Sequence, residues 1–99
     1  VERCHDVLLL AEALAGRSNV NASSDLRVAA LLAEAAGRGA AENVLVNLPL
    51  IGTNDWTQAT EARVAVLLED LEATALQVHD LVASRERREP LAALPELSR

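Results

Sequence analysis

The sequence predicts an all-α fold, a segment of an antiparallel helical bundle with one long C-terminal helix, and three observations carry that expectation. The apolar half of the chain, 51% of its residues, is built from Leu, Ala and Val with one Trp and no Phe, Tyr or Met. Ala and Leu are strong helix formers. Apolar residues recur at three- and four-residue steps in several stretches, the period of a helix with one buried face. Strands would leave aromatic and β-branched clusters bounded by turn residues, and only the short run 43–48 has that look. The chain's 99 residues allow one domain at most. Residues 1–88 read as the helical body and residues 89–99 as a tail containing Pro90 and Pro95.

Val7, Leu8, Leu10, Ala11 and Leu14 follow a helical repeat, so a first helix is expected from about Glu2 to Ala15, ended by Gly16. The polar connection 17–23 holds Asn19, Asn21 and Ser23, which bond to nearby backbone and favour turns. A second helix is expected from Ser23 or Ser24, with Asp25 in the first turn, where the positive helix end favours a carboxylate. Its apolar series Leu26, Val28, Ala29, Leu31, Leu32 and Ala35 then meets Gly37 and Gly39. Each glycine costs about 1 kcal/mol relative to Ala in a helix, so the pair ends the helix or serves close packing. The pattern resumes through Ala41, Val44, Leu45 and Leu48, and Pro49 is expected to end this piece near Asn47.

A third helix is expected from about Asp55. Asp55 and Gln58 have the spacing of a capping pair, and Thr53 and Asn54 compete as caps. Val64, Leu67, Leu68, Leu71, Ala75, Val78, Leu81 and Val82 then form a broad stripe facing a core. A helix running to Arg88 would be about 50 Å long, against a radius of gyration of about 13 Å for a compact domain of this size. The stripe is therefore expected to overhang two shorter partner helices, leaving the isolated chain oligomeric or poorly soluble. The tail is expected to be either a loosely docked strap or disordered.

Charge excludes several classes of function. The net charge is -6, with nine Arg and no Lys, and nucleic-acid binding needs a concentrated basic surface. One Trp makes no base-stacking platform. The basic cluster Arg85, Arg87 and Arg88 is interrupted by Glu86 and followed by Glu89, as expected where cations offset the negative end of a long helix. Cys4 is the only cysteine, which excludes an internal disulfide and favours a reducing compartment, so a cytoplasmic location is expected. No apolar stretch approaches the roughly 20 residues that span a bilayer, and no charged leader precedes an apolar run, so no membrane partner is expected. Val1 opens on what reads as helix interior, so the chain is expected to be a fragment, a processed product or one chain of a split protein.

Taken alone, the residues form no strong catalytic motif: no nucleophile elbow, no phosphate-cradling Gly loop and no metal-ligand spacing. Without Lys there is no amine for Schiff-base chemistry. Cys4 and His5 are adjacent on a helix and diverge, so Cys4 is expected to be inert. The pairs His5-Asp6 and His79-Asp80 likewise cannot face each other, and each is expected at a surface or boundary. Residues 18–25 gather amide, hydroxyl and carboxylate groups at a helix N-terminus, which presents free N–H groups to an anion, although ordinary capping explains the same residues. Asn43 and Asn47 sit four apart on one helix face among Val44, Leu45, Val46 and Leu48. Such amides in a helix interior lock a neighbouring helix or bind a ligand.

Three segments then combine: 19–25, Asn-Val-Asn-Ala-Ser-Ser-Asp; 28–36, Val-Ala-Ala-Leu-Leu-Ala-Glu-Ala-Ala; and 39–48, Gly-Ala-Ala-Glu-Asn-Val-Leu-Val-Asn-Leu. In this order and at this separation, with a long helix after them, they resemble the C-terminal half of the cyclodeaminase domain of the formiminotransferase-cyclodeaminase and methenyltetrahydrofolate cyclohydrolase family. The resemblance runs from the first helix to about Arg88.

The resemblance implies an all-helical homodimer that acts on a one-carbon-substituted tetrahydrofolate and keeps no permanently bound cofactor or metal. Family members expel ammonia from a formimino group to close methenyltetrahydrofolate, or hydrate the methenyl compound. Both routes pass through a tetrahedral carbon between two folate nitrogens, which calls for proton transfer and a polar pocket. By the resemblance, Asn19, Asn21, Ser24, Asn43 and Asn47 bind substrate, and Asp25 is the weak catalytic candidate. The chain departs from the family pattern at Ser18, Val20 and Glu42, where the family commonly has Gly, Pro and an apolar residue. The family's proposed acid lies upstream, so a missing N-terminal half or companion chain is the expected partner. A helix-start carboxylate such as Asp25 is a poor proton donor, its ionised form being favoured by the dipole. Two alternatives stand beside this reading: a non-catalytic helical assembly subunit, and a family member acting on a non-folate imine or amidine.

Overall fold

The computed structural model describes residues 1–17, 23–84, 87–89 and 91–98. Its elements are three helices, α1 (Glu2–Leu14), α2 (Ser23–Ile51) and α3 (Asp55–Ser84), and the described residues contain no strand. The all-α expectation holds.

Helix α1 stops where Ala15 leaves helical geometry and its N–H still reaches the Ala11 and Glu12 carbonyls. Gly16 follows at φ 75°, the left-handed conformation that suits glycine after a helix end. Helix α3 begins at the predicted residue, capped by Asn54, one of the competing candidates. The Asn54 side-chain oxygen accepts from the Thr57 N–H at 2.9 Å, and the Thr57 hydroxyl oxygen accepts from the Asn54 N–H at 2.9 Å. This reciprocal pair satisfies two end donors, in place of the expected Asp55–Gln58 pair. The helix also ends at Ser84, short of Arg88.

The largest departure is α2, which is one helix of 29 residues through Gly37, Gly39 and Pro49. Gly37 does not break it because close packing there leaves no room for a side chain. A Cβ at Gly37 would lie 2.7 Å from Leu71 Cδ2 and 3.2 Å from Cys4 Cβ, so all three helices meet at this residue. Pro49 lies in the last turn, where losing one backbone donor shortens nothing further along, and Gly52 at φ 109° then turns the chain into α3.

This length corrects the expected overhang. Helices α2 and α3, at 29 and 30 residues, form a hairpin of matched arms. Along the stripe 64–82, Val64, Leu71, Ala75 and Val78 are buried and Leu67, Leu68, Leu81 and Val82 half-buried. Glu2 pairs with Arg63 and Glu12 with Arg88, so α1 runs in the direction of α3 and covers only part of the hairpin. The core joins Leu8 and Ala11 from α1, Ala30 and Ala33 from α2, and Leu71, Ala75 and Val78 from α3. Four of these carry small or β-branched side chains on the long helices, which lets the helix axes approach closely. The molecule measures 49 × 24 × 17 Å. Exposed apolar side chains remain on the outer face of α2, at Val28, Leu31, Leu32 and Val46, and on α3 outside the stripe, at Trp56, Val66 and Leu76.

The tail is a docked strap along α1. Arg88 donates to the Glu12 and Ala15 carbonyls at 2.9 and 3.2 Å and to the Glu12 carboxylate at 2.9 Å. Its cation therefore offsets the negative end of α1, where the sequence pointed to the end of the long helix. At the other end, the Ser98 N–H donates to Asp6 Oδ1 at 2.9 Å, and Arg3 bridges Asp6 and the Ser98 carbonyl. Asp6, expected at a surface or boundary, is buried.

The Ser98 amide foremost, and Arg3 beside it, hold the Asp6 carboxyl below the usual carboxylate range against the opposing effect of burial. A carboxyl lowered on folding stabilises the docked tail fully above its unfolded pKa of about 3.9 and loses that contribution as pH falls through the folded value. The Ser98 amide proton resonance should accordingly hold a bonded position at neutral pH and move in acid. Asp6→Asn should abolish that titration. A resonance that moves identically in wild type and variant would refute the coupling.

Candidate functional site

The candidate residues divide into two groups on α2. Asn19 and Asn21 lie outside the described residues. Ser24 and Asp25 occupy the first turn of α2 and are exposed, and the Asp25 carboxylate bonds to nothing among the described residues. It sits beside the free N–H groups of the helix start.

Asn43 and Asn47 stand near the opposite end of the same helix, both exposed. The Asn47 Nδ2 donates to the Asn43 carbonyl at 2.7 Å, a bond within the helix. Neither amide reaches another helix among the described residues, so the helix-locking role does not operate inside this chain. The Asn43 amide and the Asn47 Oδ1 remain available to a ligand or another chain.

Eighteen residues separate Asp25 from Asn43, which is five full turns. The two side chains therefore leave the helix in the same direction, about 27 Å apart along its axis. Within one copy they cannot touch the same small molecule. A groove of about 280 Å³ lies between the hairpin arms, lined by Leu45, Leu48, Pro49, Gly52, Thr53, Thr57, Gln58 and Glu61. None of the candidate residues lines it.

Several polar contacts were not legible from spacing. His5 Nε2 lies 3.1 Å from the Thr74 hydroxyl, which itself donates to the Asp70 carbonyl at 2.8 Å. The His79 Nδ1 is buried with no hydrogen-bond partner among the described residues. Arg63 lowers the Glu2 carboxyl by a side-chain hydrogen bond and by its charge. Cys4, half-buried, packs against the core at Gly37. Among the described residues no group of three or more His, Cys, Asp or Glu is placed to hold a metal ion, and no helix is long and apolar enough to cross a membrane.

Comparison with known proteins adds one finding. No curated protein and no solved structure matches the chain. A family model described as Formiminotransferase-cyclodeaminase matches residues 1–66, two thirds of the chain, from α1 through all of α2 into the first turns of α3. That stretch contains both polar groups, residues 18–25 and the pair Asn43 and Asn47, together with the glycine at which the three helices meet. The chain belongs to the formiminotransferase-cyclodeaminase family.

Proposed function

We propose that the chain forms part of an enzyme acting on a one-carbon-substituted tetrahydrofolate, converting the formimino to the methenyl compound with loss of ammonia or hydrolysing the methenyl compound. The observation that carries this reading is the family match over residues 1–66, which takes in both polar groups of α2. In this reading the Asn43 side-chain amide and the Asn47 Oδ1 orient the pteridine. Asn19, Asn21 and Ser24 supply further hydrogen bonds at the start of α2, and Asp25 positions or polarises the one-carbon unit. The proton for a leaving nitrogen comes from a companion segment, where the resemblance places the family's acid. No resident cofactor or metal enters the scheme. The working form is a homodimer in the cytoplasm, and the chain by itself is inactive.

Replacing the amides tests this in the complete protein. Asn43→Leu and Asn47→Leu should each lower folate affinity or turnover by about 1.5 to 3 kcal/mol. Both positions are exposed, so the melting temperature should hardly change. Unchanged binding and turnover would remove the amides from the site.

The second reading, a non-catalytic assembly subunit on this scaffold, draws on the 27 Å that separates the two polar groups within one copy. Equilibrium titration of the complete protein with methenyltetrahydrofolate separates the two, since the assembly reading expects no saturable binding.

A further inference from the structure

The tail is tied to α1 at two places and little buried between them. One side of α1 carries Arg3, Asp6, Leu10, Ala13 and Arg17 at alternating three- and four-residue steps, so these residues line one edge of the helix. Asp6 and Ala13 are buried on that edge, and neither belongs to the core cluster where the three helices meet. Among the described residues, the hydrogen bonds that leave this edge for another part of the chain run to the tail.

The two ends recognise different chemistry. At the start of α1, Asp6 Oδ1 accepts from the Ser98 N–H at 2.9 Å, and Arg3 donates to the Ser98 carbonyl at 2.6 Å. Asp6 Oδ2 accepts from the same Arg3 at 3.1 Å, so carboxylate and guanidinium are held together as one clamp on the amide and carbonyl of a single residue. At the other end of α1, Arg88 donates to the Glu12 and Ala15 carbonyls and to the Glu12 carboxylate, and its N–H reaches the Gly16 carbonyl at 2.8 Å. Open helix carbonyls beside a carboxylate make that end a seat for a cation.

Between the ends, Leu91, Leu94 and Leu97 stay 46%, 80% and 39% exposed, so apolar burial adds little to the hold. The ends are ten residues apart on the tail, Arg88 to Ser98, and ten apart on α1, Gly16 to Asp6. Ten helical residues rise about 15 Å whereas ten extended residues reach about 33 Å, and a bend at 92–93 takes up the slack. One end can therefore let go while the other holds. We propose that this edge of α1 is a binding site for an extended protein segment, filled in cis by the tail, and that a segment of a partner protein with the same chemistry displaces the tail from it. That segment carries an arginine for the end of α1 and, about ten residues on, one residue whose amide and carbonyl are both open to Asp6 and Arg3. The seated tail itself identifies this occupant, and the inference does not rest on the folate reading.

Peptide binding to the full chain tests this. The probe is a synthetic peptide with the sequence of residues 87–98, carrying a fluorophore at its N-terminus. A tethered tail competes at an effective concentration of order millimolar, so the wild-type chain should take up the peptide only weakly. Arg88→Ala combined with Ser98→Pro removes the cation and the N–H donor and should free the tail, with the helices intact by circular dichroism. That variant should bind the peptide at least about tenfold more tightly than wild type. Adding Asp6→Ala should then weaken binding roughly tenfold, as should an alanine in place of the peptide's arginine. No saturable binding by the folded double variant would overturn the proposal. Binding indifferent to both of those changes would overturn it too, since the peptide would then be adhering to the exposed apolar faces.

A second measurement needs no variant and decides the matter even where the double variant does not fold. Unlabelled peptide at roughly millimolar concentration, added to isotope-labelled wild-type chain, should move the Ser98 amide resonance away from its bonded position. The resonances of Leu71 and Val78 in the core should stay in place. A Ser98 resonance that holds its position at the highest peptide concentration, or one that moves together with the core, would overturn displacement of the tail.

Discussion

Asp25→Asn, in the complete protein supplied with formiminotetrahydrofolate or methenyltetrahydrofolate, should lower turnover by a factor of about 100 or more while leaving the melt nearly unchanged. The change keeps the size and much of the hydrogen-bonding ability of the side chain, and it removes the charge and the capacity to accept and return a proton. Asp25 is exposed in the first turn of α2 and bonds to nothing among the described residues. Its structural contribution is therefore confined to the attraction between a carboxylate and the helix end, at most about 1 kcal/mol. Stability and activity should separate cleanly for that reason. Turnover at the wild-type level would exclude Asp25 from the site and leave the amides as its candidates. A parallel fall in turnover and melting temperature would instead make it a helix-end residue.

Gly37→Val should destabilise the fold by about 3 kcal/mol, a large share of the roughly 5–15 kcal/mol that holds a domain together. The added Cβ meets Leu71 at 2.7 and 3.0 Å and Cys4 at 3.2 Å. Leu71 is fully buried in a core cluster drawn from all three helices, so its side chain must move within packed surroundings to make room. Gly37→Ala should cost less, about 1 kcal/mol, because better helix propensity offsets part of the clash. Gly39→Ala is the control. Nothing lies within 4 Å of its Cβ position, and in the monomer it should stabilise by up to about 1 kcal/mol. Chemical denaturation of the three variants at dilute concentration measures the contrast. Equal effects at Gly37 and Gly39 would mean that the meeting point of the helices is not packed as described.

The two glycines also mark where legibility stopped. Both interrupt the helical pattern, and the sequence left open whether they end a helix or serve close packing, while the expected end near Asn47 followed from Pro49. Tertiary packing decided the first of these, since at Gly37 the absence of a side chain is what admits Leu71 and Cys4. Once α2 runs the full length of α3, Val64, Leu71, Ala75 and Val78 of the stripe are buried and Leu67, Leu68, Leu81 and Val82 half-buried, so the stripe does not overhang. The tail was open between strap and disorder because Arg88 and Asp6 find partners 76 and 92 residues away, beyond any local pattern.

For the candidate site, residue types and order were sufficient to point to the family, and the match over residues 1–66 bears that out. Separation in space was not legible. Asn43 and Asn47 read equally well as a helix lock or a ligand contact, and only their exposure and the bond from Asn47 to its own helix remove the lock within the chain.

Periodicity and composition by themselves determined the all-α class, the start of α3 and the extent of α1 to within a residue, because these depend on interactions three and four residues apart. The tertiary structure alone decided that α2 is unbroken, that the tail is strapped to α1 at Asp6 and Arg88, and that Asp25 and Asn43 share a face about 27 Å apart. Each of those outcomes turns on which surfaces meet across long sequence separations, and burial, steric fit and ion pairing at such contacts outweigh the local preferences a sequence displays.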